Sequence, residues 1–217
     1  PIDETATHSV LMGGGIGITP MLAMAHELHA KGHSFRLHYS GRTRASMGFL
    51  EDLVNVPWKD NIRLHISDDG TRLDLPTALR GYKPGWHVYT CGAERYMAAV
   101  MEAAEAAGFP EEARHLEYFS VPDQPDYVNH PFRVKLARSG KTFDVPADRS
   151  AADILVENGM PIDLKCSDGL CGVCKCALVS GDVEHRDFVL SKSQRDSSVI
   201  LCQSRAAEAG GIVEIDL

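Results

Sequence analysis

Six cysteines occur in the chain, and four of them have a spacing that could do chemistry. Residues 166–174 read CSDGLCGVC, which sets Cys166, Cys171 and Cys174 in the pattern C-x4-C-x2-C, and Cys202 stands 28 positions beyond Cys174 in ILCQSRA. Thiolates at this spacing fit a 2Fe-2S cluster. Three of them come from one tight loop that must curl inward with its backbone N–H groups facing the sulfurs, and Gly169 and Gly172 permit so close an approach. Such N–H groups also help to set a reduction potential. A zinc site with four cysteine ligands competes with this reading, but zinc sites usually pair two CxxC knuckles, and here the fourth thiol stands alone in a run that reads as a strand. Disulfides compete less well, because crowding between 166 and 176 is the mark of ligation. Cys176 follows Cys174 by two along an expected strand and reads as a small apolar residue of the core.

A second motif, GGGIGITP at 13–20, follows an apolar run and opens into a helical pattern. Glycine lets backbone approach a pyrophosphate, and a helix N-terminus supplies N–H groups and a favourable dipole. Thr19 suits the N-cap and Pro20 the first helical position. The dinucleotide fingerprint G-x-G-x-x-G is only partly met, since Pro20 stands where the third glycine belongs. A plain strand-to-helix turn therefore remains open for this loop. No acid follows about 20 residues on; instead Ser40, Gly41, Arg42 and Arg44 close the second apolar run, and basic residues there could receive the 2′-phosphate of NADP.

These motifs need elements to carry them. Apolar β-rich runs at His8–Met12, Phe35–Ser40, Ile62–Ile66, Trp86–Cys91 and Arg114–Phe119 alternate with helical patterns near 20–31, 46–54, 75–80 and 95–107. Such alternation predicts a doubly wound α/β domain with a parallel sheet over residues 1–119. In its last helix Met97, Val100, Met101 and Ala104 share one face, which is core patterning. Residues 120–131, with three prolines, two aspartates and no periodicity, read as a linker. Beyond it a hairpin (Phe132–Arg138, a Ser139-Gly140 turn, Thr142–Val145), a helix capped by Ser150 with Asp153 in its first turn, and strands at Val199–Gln203 and Ile212–Ile215 predict an α+β β-grasp domain over 132–217.

With 30 acidic and 22 basic residues the formal charge is -8, which works against nucleic acid or an anionic membrane as a partner. No run approaches the roughly 18 apolar residues of a membrane span, and the N-terminus lacks the basic start and apolar stretch of a signal peptide. A cytoplasmic protein is expected, and an initial Pro1 fits a fragment of something longer.

Taken in order, GGGIGITP, YTCGAERYM at 89–97, EYF at 117–119, the cysteine loop and HRDFVLS at 185–191 resemble the phthalate dioxygenase reductase family, which includes vanillate demethylase reductases. The resemblance covers essentially the whole chain. It implies an NAD-binding domain of ferredoxin reductase type followed by a plant-type 2Fe-2S ferredoxin domain, with an FMN domain preceding both in the intact enzyme. It further implies that Gly15, Gly17, Ile18 and Thr19, with Pro20, line the pyrophosphate and nicotinamide side. Cys91 and Gly92 match a CGP motif near the nicotinamide, although Ala93 replaces its proline. Phe119 matches an aromatic that lies against nicotinamide and flavin. The expected function is that of an NADH-dependent oxidoreductase, the reductase component of a Rieske-type oxygenase, with the terminal oxygenase and the FMN domain as partners. The 217 residues alone are expected to bind NADH without turning over, since a nicotinamide passes two electrons together and the cluster takes one. A non-enzymatic electron-transfer or redox-sensing protein is the alternative.

Overall fold

The structure is a computed structural model, and it describes residues 2–217. The chain divides into two compact units, Pro1–Ser120 and Val121–Leu217, and each has its own core.

In the first unit the order is β1 (His8–Gly14), α1 (Ile18–Ala30), β2 (Phe35–Gly41), α2 (Leu50–Leu53), β3 (Ile62–Ile66), α3 (Leu75–Ala78), β4 (Trp86–Cys91), α4 (Glu94–Ala106) and β5 (Arg114–Glu117). The five strands are all parallel in the order β3-β2-β1-β4-β5. A strand buried on both faces must be apolar on both, and β1 sends Leu11 to one side and Val10 and Met12 to the other. Ile18, Met21, Ala25 and Leu28 recur at helical spacing along α1 and pack with Leu11, Leu37 and Tyr39. Met97, Val100 and Ala104 of α4 belong to a core with Val10, Met12 and Val88. Helices thus cover both faces, which is the doubly wound arrangement. Burial of one such Leu or Met side chain stabilises the unit by about 1.5–3 kcal/mol.

Several local expectations need correction. The helix begins at Ile18 with Gly17 as N-cap, so Thr19 is not the cap and Pro20 is not the first helical residue. The glycine run already turns as a 3-10 helix over Gly15–Gly17 and feeds the α-helix directly. The Thr19 hydroxyl instead donates back to the carbonyl of Ile16 at 3.1 Å. Pro20 is tolerated as the third helical residue because the first four N–H groups of a helix have no internal partner to lose. The pattern at 46–54 yields a helix only over Leu50–Leu53, β1 runs on through Gly13 and Gly14, and β5 stops at Glu117.

The second unit contains β6 (Phe132–Leu136), β7 (Thr142–Val145), α5 (Ala151–Glu157), β8 (Lys175–Ser180), β9 (Val183–Glu184), α6 (Lys192–Arg195), β10 (Ser198–Ile200), β11 (Arg205–Ala206) and β12 (Ile212–Ile215). Its mixed five-stranded sheet has the order β10-β8-β12-β6-β7, with β12 parallel to β6 and the other pairs antiparallel. The α5 residues Ala151, Ala152 and Leu155 are buried in the same core as Val134, Val145 and Ile215, giving a β-grasp. A capping box starts α5: the Ser150 hydroxyl accepts from Asp153 N at 3.1 Å, and the Asp153 carboxylate accepts from Ser150 N at 3.2 Å. Loss of such a cap costs about 1 kcal/mol. Residues 121–131 form no regular element but are tied to this unit. The Arg186 guanidinium lies 4.3 Å over the Tyr127 ring and donates to Asn129 Oδ1 at 2.6 Å, and Arg205 donates to the His130 carbonyl at 2.9 Å. Cys202 stands in a turn after β10 rather than in a strand, because β10 ends at Ile200.

Candidate functional site

In the second unit the cysteine loop lies between α5 and β8, and its backbone is bent by three left-handed residues, Ser167 (φ 59°), Gly169 (φ 73°) and Gly172 (φ 70°). Two other segments brace it. Gln203 donates to the Ser167 carbonyl at 2.6 Å, and Phe188 N donates to the Gly169 carbonyl at 3.1 Å. Gly169 is pressed so closely on this brace that a Cβ there would lie 3.2 Å from Asp187 Cα and 3.2 Å from Gln203 Cγ. Asp187 is itself buried, and its carboxylate accepts from Val189 N at 3.0 Å and Leu190 N at 2.7 Å.

The loop brings the four thiols together in two pairs, Cys166 beside Cys171 and Cys174 beside Cys202. Backbone N–H groups face the sulfurs, and Asp168 N donates to Cys166 Sγ at 3.4 Å. Burial opposes ionisation of Cys166, but contact with Cys171 and the N–H groups of Asp168, Leu170 and Cys171 outweigh it, so its pKa is lowered. The contact with Cys202, against the opposing effect of burial, brings Cys174 down to about 6; within that pair Cys202 is pushed up, by Cys174 first and then by burial. Negative charge is therefore favoured on Cys166 and Cys174. Among the described residues no three His, Cys, Asp or Glu side chains converge as ligands of a single metal ion would. A two-and-two arrangement is what a two-iron cluster asks of four thiolates, so the residues fit that group. Cys176 is half-buried against the core, its Sγ directed to the Asp216 carbonyl at 3.8 Å and its pKa raised by burial.

In the first unit a second site lies at the carboxyl ends of β1 and β4. Their helices leave to opposite faces of the sheet, so a crevice opens there, the usual place for a ligand in such folds. The glycines are required by contact. A Cβ on Gly17 would sit 2.1 Å from the Cys91 carbonyl oxygen, and one on Gly92 (φ 153°) 2.9 Å from the Gly14 carbonyl oxygen. Gly15 (φ 55°) faces open space, leaving bare backbone on the outside of the turn. That cradle suits a pyrophosphate. Ile18 is buried and holds the turn down, whereas Thr19 and Pro20 are half-buried behind it. Burial, then Glu117, pushes the Cys91 thiol up to about 11, so it stays neutral at physiological pH and is no thiolate nucleophile. Phe119 lies two residues past Glu117, the partner of Cys91 across β5 and β4, and is 58% exposed. Arg42 is exposed at the end of β2.

Sequence reasoning missed the half-buried Tyr96, which lies over Gly14 so tightly that a Cβ there would meet its ring at 2.8 Å. Burial raises its phenol to about 12. The bracing roles of Asp187 and Gln203 were also missed; the local signals were the HRDFVLS motif around Asp187 and the adjacency of Gln203 to Cys202.

A family model for the 2Fe-2S iron-sulfur cluster binding domain matches residues 134–207. The reductase subunit of tert-butanol monooxygenase / tert-amyl alcohol desaturase from Aquincola tertiaricarbonis is 37% identical over 99% of this chain and 67% of its own length. Phthalate dioxygenase reductase from Burkholderia cepacia is 35% identical, again over 99% of this chain and 67% of its own. A solved phthalate dioxygenase reductase, described as a modular structure for electron transfer from pyridine nucleotides to 2Fe-2S, superposes on all of this chain and 67% of that one, with a TM-score of 0.56 at 36% identity. The chain thus spans about two thirds of the length of each, and with its glycine cradle, its paired thiols and these likenesses it belongs to the phthalate dioxygenase reductase family of oxygenase reductases.

Proposed function

We propose that this chain binds NADH at the β1–β4 crevice of residues 1–119, holds a 2Fe-2S cluster through Cys166, Cys171, Cys174 and Cys202 in residues 132–217, and delivers electrons to a Rieske-type oxygenase. The observation that carries the reading is the two-and-two convergence of the four thiols within a loop whose N–H groups face sulfur. When bound, the cluster accepts and releases one electron at a time. The chain's own part is to position and to insulate. Gly15 and Gly17 present backbone to the pyrophosphate, Gly92 lets the β4 turn close against Gly14, and Ile18 fixes the entry of α1. Cys91 offers a neutral, fully buried thiol beneath the nicotinamide end, and Phe119 an exposed aromatic ring. The electron count between a nicotinamide and a one-electron centre requires a flavin between them, and FMN on a further domain fits the family.

Iron and sulfide analysis, joined to two serine variants, tests the reading. We expect about two irons and two acid-labile sulfides per chain, loss of the visible spectrum in Cys171→Ser, and its retention in Cys176→Ser. Zinc in place of iron, or bleaching of the second variant, would overturn the ligand assignment.

A further inference from the structure

Arg42 and Arg44 stand at the end of β2, where cationic side chains would receive the 2′-phosphate that distinguishes NADPH from NADH, yet both are already engaged. Arg42 Nε lies 3.8 Å from Asp68 Oδ1, and Arg44 Nε donates to Asp69 Oδ2 at 2.9 Å. The carboxylates are not held by these contacts alone. Strands β2 and β3 are parallel neighbours with Gly41 opposite Ile66, so the turns that follow leave the same edge side by side. Asp68 N donates to the Arg42 carbonyl at 3.0 Å, pinning one turn to the other. Gly70 (φ 75°) closes the acidic turn, and Thr71 fastens it to Ile66 through bonds of 3.0–3.2 Å. On the other side a capping box between Thr43 and Ser46 fixes the turn that carries Arg44. Two positive and two negative groups are thus locked together.

We infer that Asp68 and Asp69 make the nucleotide site selective for NADH, by neutralising Arg42 and Arg44 and by setting two fixed negative charges where a 2′-phosphate would dock. The inference rests on the reading that the first unit binds a nicotinamide nucleotide. A phosphate monoester carries close to two negative charges at neutral pH, whereas the 2′-hydroxyl of NADH carries none. Only the phosphate feels the field of the carboxylates. Exposed charge pairs are each worth a change of about two- to fivefold in an equilibrium constant. Two carboxylates facing a dianion therefore account for roughly tenfold.

Titration calorimetry of the chain with NAD+ and NADP+, wild type and Asp68→Asn/Asp69→Asn, decides the matter. The wild type should bind NAD+ more tightly, and the double variant should shift the ratio of the two affinities toward NADP+ by about tenfold. That gain should shrink in about 1 M salt, where screening acts within about 3 Å. Part of it should remain when Arg42→Gln and Arg44→Gln are added, because the carboxylates also repel the phosphate directly. NAD+ binding with an affinity ratio that the double variant leaves unmoved, or moves toward NAD+, overturns the inference alone. Binding of neither nucleotide by the wild type overturns the underlying reading and the inference with it.

Discussion

Gln203 donates its side-chain amide to the carbonyl oxygen of Ser167 at 2.6 Å, joining the residue after Cys202 to the residue after Cys166. Ser167 holds φ at 59°, a conformation that costs a side chain other than glycine about 1–2 kcal/mol. The bond offsets that strain by about 1 kcal/mol. Gln203→Ala should therefore loosen the loop, and the cluster should bleach under an iron chelator about fivefold faster, by the same energy conversion. Ser167→Gly in that background should slow the loss again, because glycine adopts the left-handed region freely. Identical bleaching of Gln203→Ala and wild type would show that the amide does not brace the site.

Gly17→Ala tests the other site. The added carbon would fall 2.1 Å from the Cys91 carbonyl oxygen, and backbone is on both sides of the clash. Either β1 and β4 separate at their carboxyl ends or the turn is remade, at a cost of about 3 kcal/mol or more. We expect the first unit to melt earlier and the nucleotide affinity to fall more than tenfold. The visible spectrum should persist, since the second unit has a separate core. Undiminished NAD+ binding would show that the cradle is not where the nucleotide sits.

Much of this was legible in the residues. Apolar spacing in α1 and α4 and the alternation of runs define the doubly wound sheet because burial on both faces leaves little choice of pattern, and the cysteine spacing carries its own geometry. What escaped were features decided by contacts distant in sequence. Thr19 and Pro20 satisfy local rules for a helix start, but the packing of Gly17 against Cys91 winds the turn two residues earlier. β8 was recognised only through Cys176, because alternation in KCALVS is broken and its register is set by β10 and β12. The braces from Asp187 and Gln203 span 18 and 36 residues to the loop, beyond any periodic signal.

The last expectation concerns acid. Two histidine pairs bridge neighbouring strands in the first unit: His38 Nδ1 lies 2.9 Å from His65 Nε2, and His87 Nδ1 lies 2.9 Å from His115 Nε2, each pair stacked with ring centroids 5.2 Å apart. A ring nitrogen must stay unprotonated to accept in each pair. Burial first, then His65, Arg36 and Arg63, brings His38 down to about 4; burial and His87, opposed by Asp3, bring His115 down to about 4. In the unfolded chain a histidine takes up its proton near pH 6.5. The unfolded state therefore binds more protons than the folded one between pH 6.5 and 4, so stability is complete above 6.5 and is lost as the pH falls toward 4. Each of the two residues contributes up to about 3 kcal/mol. Carboxylates such as Asp3, whose pKa is lowered mainly by its bonds to Thr5, lose their contribution below that window. Both tryptophans, Trp58 and Trp86, lie in the first unit, so their fluorescence follows its unfolding by urea while visible absorbance follows the cluster. We expect the fluorescence midpoint to fall steeply between pH 6.5 and 4.5, and His38→Leu to flatten that fall while lowering stability at pH 7.5. Parallel pH profiles for wild type and variant would show that the neutral His38–His65 pair is not what acid attacks.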